Sequence, residues 1–197
     1  GPTTRYVAGV APDLVASVTS VAGVNRGSPV ADFLVPAHDE PVSGPLLDRT
    51  VTALAGLVDL LSDGGYPQDS RAAQYSLSTR GAAEFNARFS AGIPADCGDG
   101  EHVVDGVRYY SWTGIRQVTT LVDPTDSLLA ITATAFRGKP NDGLVGVCST
   151  MMGRVIGTHY DMNHVDAINH LLGARSLWTN PVTLYRTQAN RLKNRGL

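Results

Sequence analysis

Asp142 and His164 are the residues whose types, order and settings could carry acid–base chemistry in this sequence of 197 residues. Asp142 sits in Pro140-Asn141-Asp142-Gly143-Leu144-Val145, and His164 in Met162-Asn163-His164-Val165-Asp166. A triad hydrolase needs a carboxylate to hold an imidazole in one tautomer, and the imidazole to take a proton from a hydroxyl. One large group of such enzymes brings the three parts in the chain order nucleophile, acid, base. Asp142 before His164, each on a loop after an apolar stretch, follows that order. Taken alone, Asn141-Asp142-Gly143 is turn chemistry, because Asn and Asp tolerate unusual backbone angles and Gly permits them. A nucleophile elbow of the form G-x-S-x-G is absent from these residues, and Gly27-Ser28 and Gly44-Pro45 lack the strand-turn-helix setting that exposes a serine. These residues by themselves supply no triad nucleophile.

A third segment, Leu121-Val122-Asp123-Pro124-Thr125-Asp126, adds carboxylates far from the others in sequence. Cys97 and Cys148 have no Cys or His at metal-site spacing. A disulfide and two buried thiols are both open on composition alone.

The elements around these residues read as a mixture of helices and strands. Residues 1 to 10 predict a helix, with Pro2 suited to the first turn and Tyr6, Val7 and Val10 on one face. Pro12 ends it. Leu14, Val15, Ala16, Val18 and Val21 form an apolar run that suits a strand buried on both faces of a parallel sheet. The strand that should precede the helix is missing, so the chain reads as beginning in the middle of a fold. From Leu46 to Leu61 the apolar spacing is helical and nearly encircles the helix, fitting either a core helix or a flap whose face is covered until it meets lipid. Ser78 predicts a helix cap with Ala82, Phe85 and Phe89 along one side. Asp105-Gly106 between β-branched runs predicts a two-residue hairpin running on through Tyr109, Tyr110 and Trp112. Asn180 and Pro181 predict the start of a last helix with Val182, Tyr185, Ala189 and Leu192 facing inward. Buried parallel strands among helices make the class α/β.

Sixteen Lys and Arg against eighteen Asp and Glu leave a net charge of −2, which favours neither nucleic acid nor an anionic membrane. Arg186, Arg191, Lys193 and Arg195 suit the carbonyl end of a helix. The sequence contains no apolar stretch of about 18 residues, so no membrane span is expected.

Residues Gly1-Pro2-Thr3-Thr4-Arg5-Tyr6-Val7-Ala8-Gly9-Val10-Ala11-Pro12-Asp13-Leu14 resemble the helix just after the elbow in the foldase-dependent secreted bacterial triacylglycerol lipases of Pseudomonas and Burkholderia. The resemblance continues through Arg26-Gly27-Ser28, Ala31-Asp32-Phe33, Tyr109-Tyr110-Ser111-Trp112, Asn141-Asp142-Gly143-Leu144-Val145, Asn163-His164-Val165-Asp166 and Ala189-Asn190-Arg191-Leu192-Lys193, covering essentially the whole chain in order. It implies the C-terminal part of a single α/β-hydrolase domain over residues 1–197, a mostly parallel sheet flanked by helices, with a helical lid at about residues 36–65. In that family a Gly-His-Ser-x-Gly elbow ends immediately before the position matched by Gly1.

The resemblance implies that Asp142 is the triad acid and His164 the base. Asp123 and Asp166 match the two carboxylate ligands of a structural Ca2+, with carbonyl ligands falling at His170 and Ala174. Calcium is a hard cation that prefers such oxygen donors. Cys97 and Cys148 match the family disulfide. The implied partners are a triacylglycerol substrate at a lipid–water interface, the N-terminal piece of the same lipase and a lipase-specific foldase during secretion; the implied location is extracellular. Two departures stand out: Val24-Asn25 replace the usual Pro-His, and the interval from Asp123 to Asp142 is about one residue shorter. The favoured expectation is a polypeptide cleaved after the elbow. The alternative is a non-catalytic, calcium-stabilised secreted module derived from a lipase, and a third is a small hydrolase using Ser28.

Overall fold

The computed structural model describes residues 1–34, 70–120, 122–169 and 173–197. The expected lid, 36–65, and the expected ligand His170 lie outside the described residues.

Helix α1 (Pro2–Val10) starts on its proline and stops where Ala11 leaves helical geometry before Pro12. Its expected apolar face points the other way. Arg5 and Ala8 are buried, while Tyr6, Val7 and Val10 are exposed. Arg5 wins the inner position because its guanidinium reaches the Asn86 Oδ1 at 2.8 Å and the Phe89 carbonyl at 2.5 Å, and lies 5.0 Å above the Phe85 ring. Burial pushes that guanidinium down to about 10.

Strand β1 (Ser17–Val21) is shorter than the apolar run, which begins in a 3-10 turn that leaves Leu14 exposed. Val18 and Ser20 are buried and their neighbours partly so. The strand buried on both faces is instead β3 (Val107–Gly114), whose last six residues are all buried. It lies between β1, parallel to it from Ser17↔Arg108 to Val21↔Trp112, and the parallel β4 (Arg154–Tyr160). The short β2 (Val103–Val104) joins β3 through Asp105 and Gly106, at φ +48° and +80°. Both central residues in the left-handed region make a type I′ turn, which is why Asp-Gly sits there.

Alternation along β3 puts Val107 and Tyr109 into a cluster with Ala8, Val18 and Met152, and Trp112 into another with Ala22, Met162 and Ala167. The sheet is therefore covered on both faces, as α/β layering requires.

Helices α2 (Pro29–Leu34), α3 (Ser70–Leu77) and α4 (Thr79–Asn86) follow β1 in the chain. Ser78 caps α4 by accepting from the Gly81 amide. Helix α5 (Asp126–Thr132) and the single turn α6 (Val147–Thr150) belong to the β3–β4 crossover.

The last helix, α7 (Pro181–Lys193), is capped by Asn180 as expected. Its inner face is shifted: Pro181 and Gln188 are buried, Leu184 packs on the second cluster, and Ala189 is exposed. A polar anchor sets that rotation, because Gln188 donates to Thr19 Oγ1 on β1 at 3.0 Å. Tyr185 is partly exposed but donates to the Ala167 carbonyl and meets Trp112 edge-on. Among the described residues no helix is long and apolar enough to cross a membrane.

Candidate active site

The loops that leave the C-terminal ends of β3 and β4 carry the candidate residues, the edge where open α/β sheets place their ligand sites. Asp142 lies at the tip of a tight turn closed by a bridge between Asn141 and Gly146. Its Oδ1 accepts from the Leu144 amide at 3.1 Å and the Val145 amide at 2.7 Å. Gly143 stands at φ +100°, and a Cβ there would lie 2.7 Å from Leu129 Cβ, so the turn is pressed against α5. Thr132 of that helix donates to the Gly143 carbonyl at 2.6 Å. On the other side, Gln117 Nε2 donates to the Asn141 carbonyl at 2.6 Å. The carboxylate is fully buried and leaves Oδ2 free for one partner.

That partner is His164. Its Nδ1 lies 2.8 Å from Asp142 Oδ2, and its backbone amide donates to the Asp142 carbonyl at 2.9 Å. An ionised carboxylate only accepts, so the ring proton belongs on Nδ1, leaving Nε2 as the basic nitrogen. Burial works to lower the imidazole pKa, but the charge of Asp142 and its hydrogen bond together outweigh burial and raise it. The side chain keeps 27% of its surface open, so the ring is reachable while its acid partner is sealed. This geometry can hold, orient and charge-balance a general base.

Asp123 and Asp166 are also buried. Asp123 Oδ1 accepts from the Thr125 amide at 2.8 Å and its hydroxyl at 2.6 Å, and Asp166 Oδ2 accepts from the Asn163 amide at 3.3 Å. The remaining oxygens, Asp123 Oδ2 and Asp166 Oδ1, are buried, and among the described residues no group meets them in hydrogen-bonding geometry. Burial raises the Asp166 pKa, the nearby Thr119 hydroxyl and then the Asn163 and Ser176 backbone oppose the rise, and the Asp123 charge adds to it. Ala174 is half-buried. Among the described residues no group of three or more His, Cys, Asp or Glu side chains converges.

Two residues inside the segments already singled out have roles that spacing did not reveal. Asp126 and Asn163 are buried and bonded to each other, Asn163 Nδ2 donating to Asp126 Oδ1 at 2.7 Å. The one signal in the sequence was an aspartate placed to open a helix. Ser28 is excluded as a nucleophile: it is buried, donates to the Leu144 carbonyl at 2.5 Å and accepts from the Val30 amide at 3.1 Å.

Cys97 and Cys148 are joined, their Cα atoms 5.0 Å apart and 51 positions apart in sequence. In the chain-entropy model a loop of that length contributes about 4 kcal/mol. The bridge ties down the chain just beyond the Asp142 turn. Asn25, standing at one departure from the family pattern, is wholly buried and donates through Nδ2 to Ser20 Oγ and the Thr150 carbonyl, both at 2.9 Å.

No protein-family model matches the chain. Among curated proteins it is 50% identical over 203 residues to a triacylglycerol lipase of Vibrio cholerae, covering all of this chain and 64% of that protein. It is 39% identical over 209 residues to a triacylglycerol lipase of Pseudomonas fragi, covering 99% of this chain and 70% of that protein. A triacylglycerol lipase of Burkholderia plantarii is 36% identical over 231 residues, with 64% of its length covered. A mostly parallel sheet between helices, with a buried carboxylate holding a histidine at the strand ends, defines an α/β-hydrolase fold. The chain belongs to the bacterial triacylglycerol lipase family, and spans 64% of the length of its Vibrio relative.

Proposed function

We propose that this chain supplies the acid and the base for hydrolysis of triacylglycerol esters, acting on a serine carried by polypeptide upstream of Gly1. The observation that carries the reading is the 2.8 Å contact between His164 Nδ1 and the buried Asp142 Oδ2. Serine Oγ would attack the ester carbonyl while His164 Nε2 takes its proton. The imidazolium, steadied by Asp142, would return that proton to the departing alkoxide and leave an acyl-enzyme. Water deprotonated by the same nitrogen would then release the fatty acid. The triacylglycerol lipase names of the relatives support this substrate class.

A structural Ca2+ belongs to the same reading. Two buried carboxylate oxygens that lack donors among the described residues, with the Asp123 charge acting on Asp166, suit a hard divalent cation. Asp123 and Asp166 would hold it, with backbone carbonyls, those of His170 and Ala174 by family resemblance, completing the shell. Bound there, the ion would neutralise the pair and pin the loop that begins at His164, without touching the ester. Secretion fits the disulfide, which persists in oxidising compartments.

The test is labelling of the full-length gene product with a serine-reactive organophosphonate, with intact mass read under denaturing conditions. Stoichiometric label on one serine upstream of Gly1, lost when His164 is replaced by Ala, is the expected result. A product that takes up no label and turns over no ester would instead be the non-catalytic module.

A further inference from the structure

Asp126 is a buried carboxylate that the proposed mechanism and the calcium reading leave unused. It opens α5, three positions beyond Asp123, and its acceptor sites are filled by protein donors. Oδ2 accepts from the backbone amides of Thr119 and Thr120 at 2.8 and 2.9 Å, in the loop that follows β3. Oδ1 accepts from Asn163 Nδ2 at 2.7 Å, in the loop that follows β4. Asn163 is itself wholly buried, and its Oδ1 accepts from the amides of Val165 and Asp166 at 2.9 and 2.8 Å. One carboxylate and one carboxamide thus stitch together the start of α5 and two loops, and the second loop is fixed on both sides of His164.

The chemistry of the pair follows from its donors and acceptors. An ionised carboxylate accepts three N–H bonds without competition, and charge-assisted bonds of this kind are stronger than neutral ones. The carboxamide donates toward Asp126 through Nδ2 while its Oδ1 accepts from two main-chain amides, so donor and acceptor lie on separate atoms of one planar group. Asp142 grips only the imidazole nitrogen and the first amide of the turn. It leaves the remainder of the 163–166 backbone to other restraints, and a small displacement of a catalytic base costs rate steeply.

We propose that Asp126 and Asn163 are positioning residues for His164, a brace made of protein groups that adjoins the aspartates of the calcium reading but offers that ion no ligand. The proposal rests on the reading of His164 as the general base. It assigns Asp126 no contact with substrate: it acts through Asn163 on the main chain that carries the imidazole.

The experiment uses full-length enzyme in saturating Ca2+, with the soluble ester p-nitrophenyl butyrate and active sites counted by organophosphonate titration. Asp126→Asn sets two carboxamide donors against each other, and Asn163→Ala removes the link. Each is expected to lower kcat per titrated site roughly 10- to 100-fold, with KM within about twofold, at Ca2+ concentrations that saturate each variant. The double variant Asp126→Asn with Asn163→Asp restores a donor facing an acceptor, and is expected to regain about tenfold over either single variant. A merely structural role would reduce the number of titratable sites and leave the rate per site intact.

Rates per site within about twofold of wild type, or no gain in the double variant, overturn the proposal. If Asp126→Asn has no cooperative unfolding transition, Asn163→Ala decides by the same rate. Loss of the fold in both makes the pair a folding element and overturns it too. His164→Ala separates the two levels: full activity there removes the base itself, whereas an inactive His164→Ala beside normal brace variants removes only the brace.

Discussion

His164 is bound to Asp142 twice, once through its backbone amide to the Asp142 carbonyl at 2.9 Å and once through Nδ1 to Oδ2 at 2.8 Å. The main-chain bond is indifferent to protonation, so it holds the two loops together whatever the charge on the ring. The side-chain bond is then free to respond to charge on the ring. Separating these tasks lets the acid be altered chemically without the loops coming apart.

Asp142→Asn uses that separation. The new carboxamide can still accept from the Leu144 and Val145 amides, so the turn is expected to persist and the thermal midpoint to move little. Its NH2 would face Nδ1, pushing the ring proton to Nε2, where the base is needed. By analogy with the same change in serine proteases, kcat on a soluble ester is expected to fall about 10^4-fold. A loss under tenfold in stopped or continuous ester assays would remove Asp142 from the mechanism.

The raised pKa of His164 predicts opposite pH trends for stability and activity. The charged ring bonded to Asp142 contributes stability that is full below the ordinary histidine value of 6.5 and is lost as pH rises through the folded value above it. In the proposed mechanism, catalysis by the neutral ring appears over the same interval. The acid limb of kcat/KM is therefore expected to have its midpoint above 6.5, and the stability advantage over His164→Ala to shrink across that limb. An acid limb below the ordinary value, read from kcat/KM against pH, would contradict the assigned geometry.

Legibility in the sequence followed how locally each feature is determined. The Asp105-Gly106 turn and the caps at Ser78 and Asn180 needed only neighbours, and they stand where the chain chemistry put them. The parallel class was legible from apolar runs, but the strand buried on both faces proved to be β3 rather than β1, since coverage is a property of the whole sheet. Hydrophobic spacing gives other inner faces for α1 and α7 than the fold has, because Arg5 and Gln188 take the inward positions that spacing gives to Tyr6 or Ala189. Each is held by partners distant in sequence, Asn86 and Thr19. Asp142 and His164 entered through chain order and family resemblance, whereas the Asp126–Asn163 bond joins two loops and leaves no trace in either alone.

The orphaned oxygens of Asp123 and Asp166 lead to the calcium prediction. Burial raises the Asp166 pKa, and the Asp123 charge adds to that rise. With no cation, keeping Asp166 ionised therefore carries a stability penalty that is absent below the ordinary carboxylate value and full once pH exceeds the raised one. A cation that neutralises the pair stabilises by mass action, about 2.7 kcal/mol at a hundredfold excess over its dissociation constant. With roughly 2–4 °C per kcal/mol for a chain of this size, chelation at neutral pH should lower the thermal midpoint by about 5–10 °C. The drop should shrink toward acid pH. Asp166→Asn removes the penalty and the ligand charge together. In chelator it should unfold at a higher temperature than wild type, and it should no longer respond to added Ca2+. Scanning calorimetry of both proteins with and without chelator decides the matter: a variant that still gains the full calcium increment would mean the ion binds elsewhere.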